Sequence, residues 1–175
     1  GLIVRGELDK FLVRPVWPLF QVLGSVFGVQ GLGHLISGGV MLTIAGLNVE
    51  LFREVRSIVW LMLALVSGCM ILVSALLLAE SMSFWTGGQQ TNLSYLAYQM
   101  GELGRYPLEV YPWPIRSLVT WVIPFAFGTY FPTAEILHKP GAQLAVLSPA
   151  IALVMMILAI AVWRAGLHSY TGTGS

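Results

Sequence analysis

The ionisable residues of this chain are few and unevenly placed, so where they fall limits the chemistry open to it. Of nine basic and eight acidic residues, five lie in the ten positions from Arg5 to Arg14, within Arg5-Gly-Glu-Leu-Asp-Lys-Phe-Leu-Val-Arg-Pro15. Val4, Leu8, Phe11 and Leu12 recur at i, i+4, i+7 and i+8, the spacing of one helix face, while Glu7, Lys10 and Arg14 lie on another. Pro15 lacks a backbone donor and ends or bends such a helix. Residues 4–15 therefore read as a short amphipathic helix that meets water. Such a helix either presses its apolar face into a groove on a soluble partner or lies among lipid headgroups, and the residues alone leave both open.

The other reactive side chains form no recognisable constellation. His34, His138 and His168 are far apart, and no Ser-His-Asp set, carboxylate pair or His-rich cluster emerges. The stretch Gly31-Leu-Gly-His-Leu-Ile-Ser-Gly-Gly39 lacks the lysine of a phosphate loop. Cys69 is the single cysteine and sits in an apolar run, where a small buried hydrophobe is the expected role. No catalytic, cofactor or metal site is expected in this chain. A net charge of +1 without a basic stripe argues against nucleic-acid binding.

These sparse groups must be held by elements that are almost wholly apolar. Hydrophobic residues make up 57% of the 175 and charged residues only 10%. The mean hydropathy is +0.80. A soluble domain carries about 25% charged residues, so this composition belongs to an all-α integral membrane protein. No Asp, Glu, Lys or Arg falls between Arg14 and Glu50, Arg56 and Glu80, Arg116 and Glu135, or Lys139 and Arg164. A bilayer crossing takes about 20 apolar residues, so each interval can hold one. The clearest crossings are 27–47, 57–83 and 144–164, the last ending on Trp163 and Arg164, an interfacial anchor. Gly24, Gly28, Gly31 and Gly38 recur at helical spacing, and a face of small residues lets another helix approach closely in lipid.

Residues 84–132 are harder to place. In 92–104, Leu93, Leu96, Met100 and Leu103 share a face, with Gln99 and Glu102 opposite. Arg105–Arg116 holds three prolines and three aromatics, the composition of a turn at a membrane interface. Pro124 is expected to interrupt the apolar run that follows, and Pro132 to end it. Either 115–131 crosses and 92–105 lies on the cytoplasmic surface, or 88–106 crosses and 107–131 dips in and out from the far face. Short cytoplasmic loops are rich in Lys and Arg. The first arrangement puts six of the nine basic residues inside and the second puts four, so charge favours the first.

At Gly6-Glu7-Leu8-Asp9 through Leu12, Arg14-Pro15, Arg105-Tyr106-Pro107, Tyr111-Pro112, Ile123-Pro124-Phe125-Ala126-Phe127 and Trp163-Arg164-Ala165-Gly166-Leu167, the chain resembles the permease subunits of type-2 ABC exporters. The closest branch is that of the bacterial ABC-2 family transporter proteins, and the likeness runs over essentially all 175 residues in order. It implies a six-helix permease of which four transmembrane helices are visible, the first two preceding Gly1. It also implies that residues 4–15 are the coupling helix, with Glu7, Leu8, Lys10, Phe11 and Arg14 meeting an ATPase. Tyr106–Phe127 resembles the re-entrant Pro/aromatic element of these permeases, and that likeness tips the choice narrowly to the second arrangement.

The function implied is export of an unidentified substrate, amphiphilic and drug-like or lipid-like, across a bacterial cytoplasmic membrane. Separate ATPase subunits would bind ATP and Mg, and a second permease chain, identical or homologous, would complete the pathway. The chain itself would have no ATPase site. Ionisable groups at membrane depth are functional candidates, and the pathway or gate candidates are His34, Gln99, Glu102, Arg105, Tyr106, Tyr111, Pro124 and Phe125, with helix packing the other reading of His34. Two other readings stay open, a secondary transporter subunit with His34 and Glu102 as ion-coupling groups, and a non-transporting membrane scaffold.

Overall fold

The computed structural model describes residues 29–49, 51–86 and 93–168. The amphipathic segment 4–15, with Glu7, Leu8, Lys10, Phe11 and Arg14, lies outside the described residues, as do Gly24 and Gly28. Among the described residues every regular element is helical. The α-helices are α1 (Val29–Asn48), α2 (Val55–Ser81), α3 (Leu93–Glu102), α4 (Trp113–Ser117), α5 (Phe125–Gly128), α6 (Tyr130–Ile136) and α7 (Ser148–His168). Among these residues three stretches are long and apolar enough to cross a bilayer: Gly31–Asn48, Val55–Phe84 and Ala142–His168. The chain is thus a multi-pass, all-helical membrane protein.

The centre of the fold is the pairing of α2 with α7, and their small residues explain it. Ser67, Ser74, Ala75 and Ser81 are buried on α2, and Ser148, Ala152, Ala159 and Gly166 on α7. Lipid tails are as apolar as leucine, so close backbone approach, rather than escape from water, favours helix association in a membrane. Serines in such a helix must satisfy their hydroxyls locally: Ser74 and Ser81 donate to the carbonyls of Met70 and Leu77 at 2.5 and 2.6 Å. Ser74 also approaches the Met156 sulfur at 3.8 Å. Further on, Leu77 packs with Ala159, and Phe84 meets the Trp163 ring edge-on at 5.1 Å. Contacts advance in step along both helices, so α2 and α7 run parallel.

Parallel pairing imposes a return path. The chain leaves the pair at the Phe84 end and must re-enter α7 at the opposite end. Helix α3 begins this return beside α2: a Cβ at Gly101 would lie 3.3 Å from Leu72. Ten helical residues rise only about 15 Å, and the turn Leu103–Arg105 extends that path.

From Trp113 to Ile136 the chain is helical but repeatedly broken. Pro112 and Pro114 sit at the start of α4, where the missing N–H costs nothing. A single π-helical turn, Leu118–Val122, follows. Ile123 is then extended (φ −121°, ψ 94°), as the residue before a proline prefers. Pro124 starts α5, and Thr129 breaks the chain again before α6. Pro132 does not end the apolar run: it lies in the first turn of α6, where no intrahelical partner awaits its nitrogen.

These breaks let α5 reach the middle of α2. Gly68 and Gly128 meet backbone to backbone, since a Cβ on Gly68 would lie 2.8 Å from the Gly128 carbonyl oxygen. Helix α6 then climbs back towards the start of α2, where Glu135 forms an ion pair with Arg56. At 1.5 Å per residue, Gly68 lies about 18 Å further along α2 than Arg56. The stretch therefore descends well into the bundle at α5 and returns. Phe127, fully buried, anchors its lowest point between Trp121 and Phe131, with ring centres 6.2 and 4.7 Å away.

Helix α1 is different. Its side chains are exposed from Gly31 onward except at Leu42 and Gly46. Gly31, Gly33, Gly38 and Gly39 have nothing within 4 Å of an added Cβ. Of the glycine face expected to pack on a neighbouring helix, Gly31 and Gly38 are open among the described residues.

Candidate functional site

The return stretch places its polar groups at the end of the bundle where α2 and α7 begin. Pro107, Pro112 and Pro114 make a continuous helix impossible between α3 and α4, so exposed carbonyls need other donors. Side chains supply them. The Tyr111 hydroxyl donates to the Leu103 carbonyl at 3.0 Å. Arg116 donates from Nε to the Leu108 carbonyl at 3.2 Å and from Nη2 to the Tyr111 carbonyl at 3.4 Å. Thr120 in turn donates to the Arg116 carbonyl at 2.7 Å. Leu108 is buried beneath this turn and holds it to the core.

Across from the turn, Tyr130 at the start of α6 donates its hydroxyl to the Glu109 carboxylate. This hydrogen bond is the main reason the Glu109 carboxyl is held below its ordinary value; its own backbone N–H adds to it, slight desolvation opposes it, and Lys139 and Arg116 make smaller charge contributions. Burial and the same partner push the Tyr130 phenol up to about 12. The two groups bridge two clefts. The larger, about 440 Å³, is walled by Glu109, Trp113, Arg116, Ser117, Thr120, Trp121, Tyr130 and Phe131, with Pro140-Gly141 at its edge. The smaller, about 260 Å³, contains Tyr106, Glu109, Thr129, Tyr130, Thr133 and Lys139.

The loop from α6 to α7 closes one side of these clefts. Its backbone forms a Schellman-type stop, with the Lys139 N–H on the Ala134 carbonyl at 2.8 Å and the His138 N–H on Glu135 at 3.3 Å. His138 takes the left-handed position (φ 52°) usually held by glycine, and Gly141 (φ 90°) turns the chain into the last span. His138 is thus a turn residue.

The sign of the Glu109–Tyr130 linkage follows from both shifts. A lowered carboxyl stabilises above its ordinary value of 4.5 and loses that contribution as pH falls through the depressed one. A raised phenol stabilises below 10 and loses that contribution as pH climbs through about 12. A phenolate absorbance titration should therefore show one tyrosine titrating well after the others. Glu109→Gln should move it part of the way back towards 10, because burial, the larger cause, remains. A titration unchanged by Glu109→Gln would contradict the linkage.

The residues singled out in the sequence are only partly gathered here. Tyr106 lines the smaller cleft and Tyr111 braces the turn between them. Glu102 is half-buried on α3, and Gln99, exposed, donates to the Tyr95 hydroxyl at 3.0 Å. Pro124 and Phe125 are buried in the core and line neither cleft. His34 is exposed on α1, outside both. The Arg105 side chain lies outside the described residues. Trp113, Trp121, Tyr130 and Lys139 were not among the sequence candidates. The sequence signal for Trp113 is the density of Pro and aromatic residues around 105–116, which marks a turn without saying what faces what, and Trp121, Tyr130 and Lys139 lie beyond that segment.

Comparison with curated proteins and with solved structures gives no match. Among protein families, the one described as "ABC-2 family transporter protein" matches residues 1–174. A match spanning nearly the whole chain, joined to a helical fold with apolar spans, leaves one assignment: the chain belongs to the ABC-2 family transporter proteins, the membrane permeases of ABC transporters.

Proposed function

We propose that this chain is the permease subunit of an ATP-driven exporter in a bacterial cytoplasmic membrane, carrying an amphiphilic, drug-like or lipid-like substrate outwards. The observation that carries this reading is the family match over residues 1–174, in a sequence without a phosphate-binding loop of its own. ATP and Mg would be bound by two partner ATPase subunits. A second permease chain would enclose the pathway, and ATPase closure would push on residues 4–15. That push acts by biasing an equilibrium between two helix arrangements that substrate also biases.

The topology in which 88–106 returns across the membrane and 107–131 dips from outside is supported by the parallel α2–α7 pair and by the Gly68–Gly128 contact deep in the bundle. His34, Gln99, Glu102, Arg105, Tyr106, Tyr111, Pro124 and Phe125 remain the proposed pathway and gate residues.

Purification of the full-length protein from its native membrane should bring down an ATPase. Substituting Glu7 or Leu8 should then drop transport to background while ATP hydrolysis continues. Transport persisting undiminished without any ATPase would refute the exporter reading. Labelling of Tyr111→Cys, in a Cys69→Ala background, should succeed from outside intact cells, and its failure would sink the re-entrant topology.

A further inference from the structure

We propose that the larger cleft is a binding site for a zwitterionic phosphate–ammonium headgroup. Glu109 and Arg116 face the same cleft yet are not paired with each other. Arg116 spends two of its five N–H donors on the Leu108 and Tyr111 carbonyls, leaving three. Glu109 accepts the Tyr130 hydroxyl on Oε1, and its carboxylate brings a negative charge to the cleft wall. Unlike charges held apart by separate hydrogen-bond partners leave room for a ligand that carries both signs.

The remaining walls fit each half of such a ligand. Ser117, next to Arg116 on the cleft wall, adds a hydroxyl donor for a phosphate oxygen. Trp113 and Trp121 line the cleft and are 77% and 71% exposed, and an indole face attracts an ammonium group. An anion alone would face Glu109, and a cation alone would face Arg116. A volume of about 440 Å³ suits a small ligand or a headgroup rather than a whole two-chain lipid. The cleft opens beside Pro140-Gly141, where the last apolar span begins, so a ligand seated there meets the edge of the hydrocarbon. As a step in export the site rests on the proposed function, but as a binding site it does not.

The test uses the full-length protein in nanodiscs of phosphatidylglycerol, read by tryptophan emission, with dodecylphosphocholine below its micelle concentration as the probe. A saturable shift is expected. Glu109→Gln should weaken it about tenfold, in the range of an attraction between unlike charges at a partly wet site, and should strengthen dodecyl phosphate, which no longer faces a carboxylate. Trp113→Leu should weaken the probe by a similar factor. Glu109→Gln carries the test because it keeps an acceptor for Tyr130 and leaves the Arg116 hydrogen bonds alone.

Soluble phosphocholine binding as tightly as the probe would identify a water-borne zwitterion. Probe binding blocked by phosphatidylcholine nanodiscs would identify a lipid of the bilayer. Either result supports the shared headgroup chemistry. No saturable shift, or equal affinity for dodecyl phosphate, dodecyltrimethylammonium and the zwitterion, would overturn the proposal. ATPase co-purification is read independently, so failure of the site and failure of the exporter reading are told apart.

Discussion

Gly68→Leu is expected to destroy the folded arrangement of the permease. Gly68 on α2 and Gly128 on α5 touch through their backbones, and a Cβ on either would lie 2.8 Å from the other's backbone. Backbone cannot swing aside as a side chain can. Overpacking typically costs about 1–3 kcal/mol, and a leucine here should reach or pass the top of that range. With total stabilities near 5–15 kcal/mol, that is a large fraction. The loss should spread, because α5 carries Phe125 and Phe127 into the core that Ile71 and Val119 also build. Gly101→Ala is the control: its nearest neighbour is the movable Leu72 Cδ1 at 3.3 Å, so the cost should stay well under 1 kcal/mol. Thermal unfolding in detergent decides it. A Gly68→Leu protein that melts with the wild type would show that the α2–α5 contact does not hold the fold together.

The second large effect lies further along the helix pair, at the Phe84–Trp163 end. Phe84→Ala removes a buried ring that meets Trp163 edge-on at 5.1 Å and lies against Gly166. Truncating a core phenylalanine costs about 3–5 kcal/mol, of which an edge-to-face contact is a part. Gly166→Ala should destabilise from the opposite direction, since its Cβ would fall 2.3 Å from Phe84 Cδ2. The two changes share one volume, so they should not add. Combining Phe84→Ala with Gly166→Val should recover part of the stability lost by Phe84→Ala alone. Additive losses in the double variant, measured by the same melting assay, would show that the ring and the glycine do not share a site.

How much of this was legible beforehand depended on which signal each element left in the sequence. Long apolar intervals between charges located the spans, because the cost of charge in hydrocarbon is large and its pattern is one-dimensional. Packing was less legible. Glycines draw attention to α1, yet among the described residues Gly31 and Gly38 touch nothing, while serine and alanine on α2 and α7 make the close interface. In lipid any small side chain permits approach, so glycine alone was too narrow a marker. Pro132 was read as a stop because proline breaks helix interiors, but a first-turn proline does not. The clefts were least visible. Arg116 and Tyr130 are fourteen positions apart, and only the descent and return of the chain through Pro124 and Thr129 brings them to one cleft.

The parallel run of α2 and α7 has an electrical consequence. Each long helix carries about half an elementary positive charge at its N-terminus and the same negative charge at its C-terminus. Antiparallel neighbours cancel these macrodipoles, whereas parallel ones add them. From these two helices alone the end holding the clefts gains roughly one positive charge and the Phe84–Trp163 end one negative. Any tilt of the pair moves that charge through a fraction of the transmembrane field, whose full drop is worth about 2.3 kcal/mol per elementary charge per 100 mV. A tilt of this pair would thus couple to the membrane potential, as a tilt of an antiparallel pair would not.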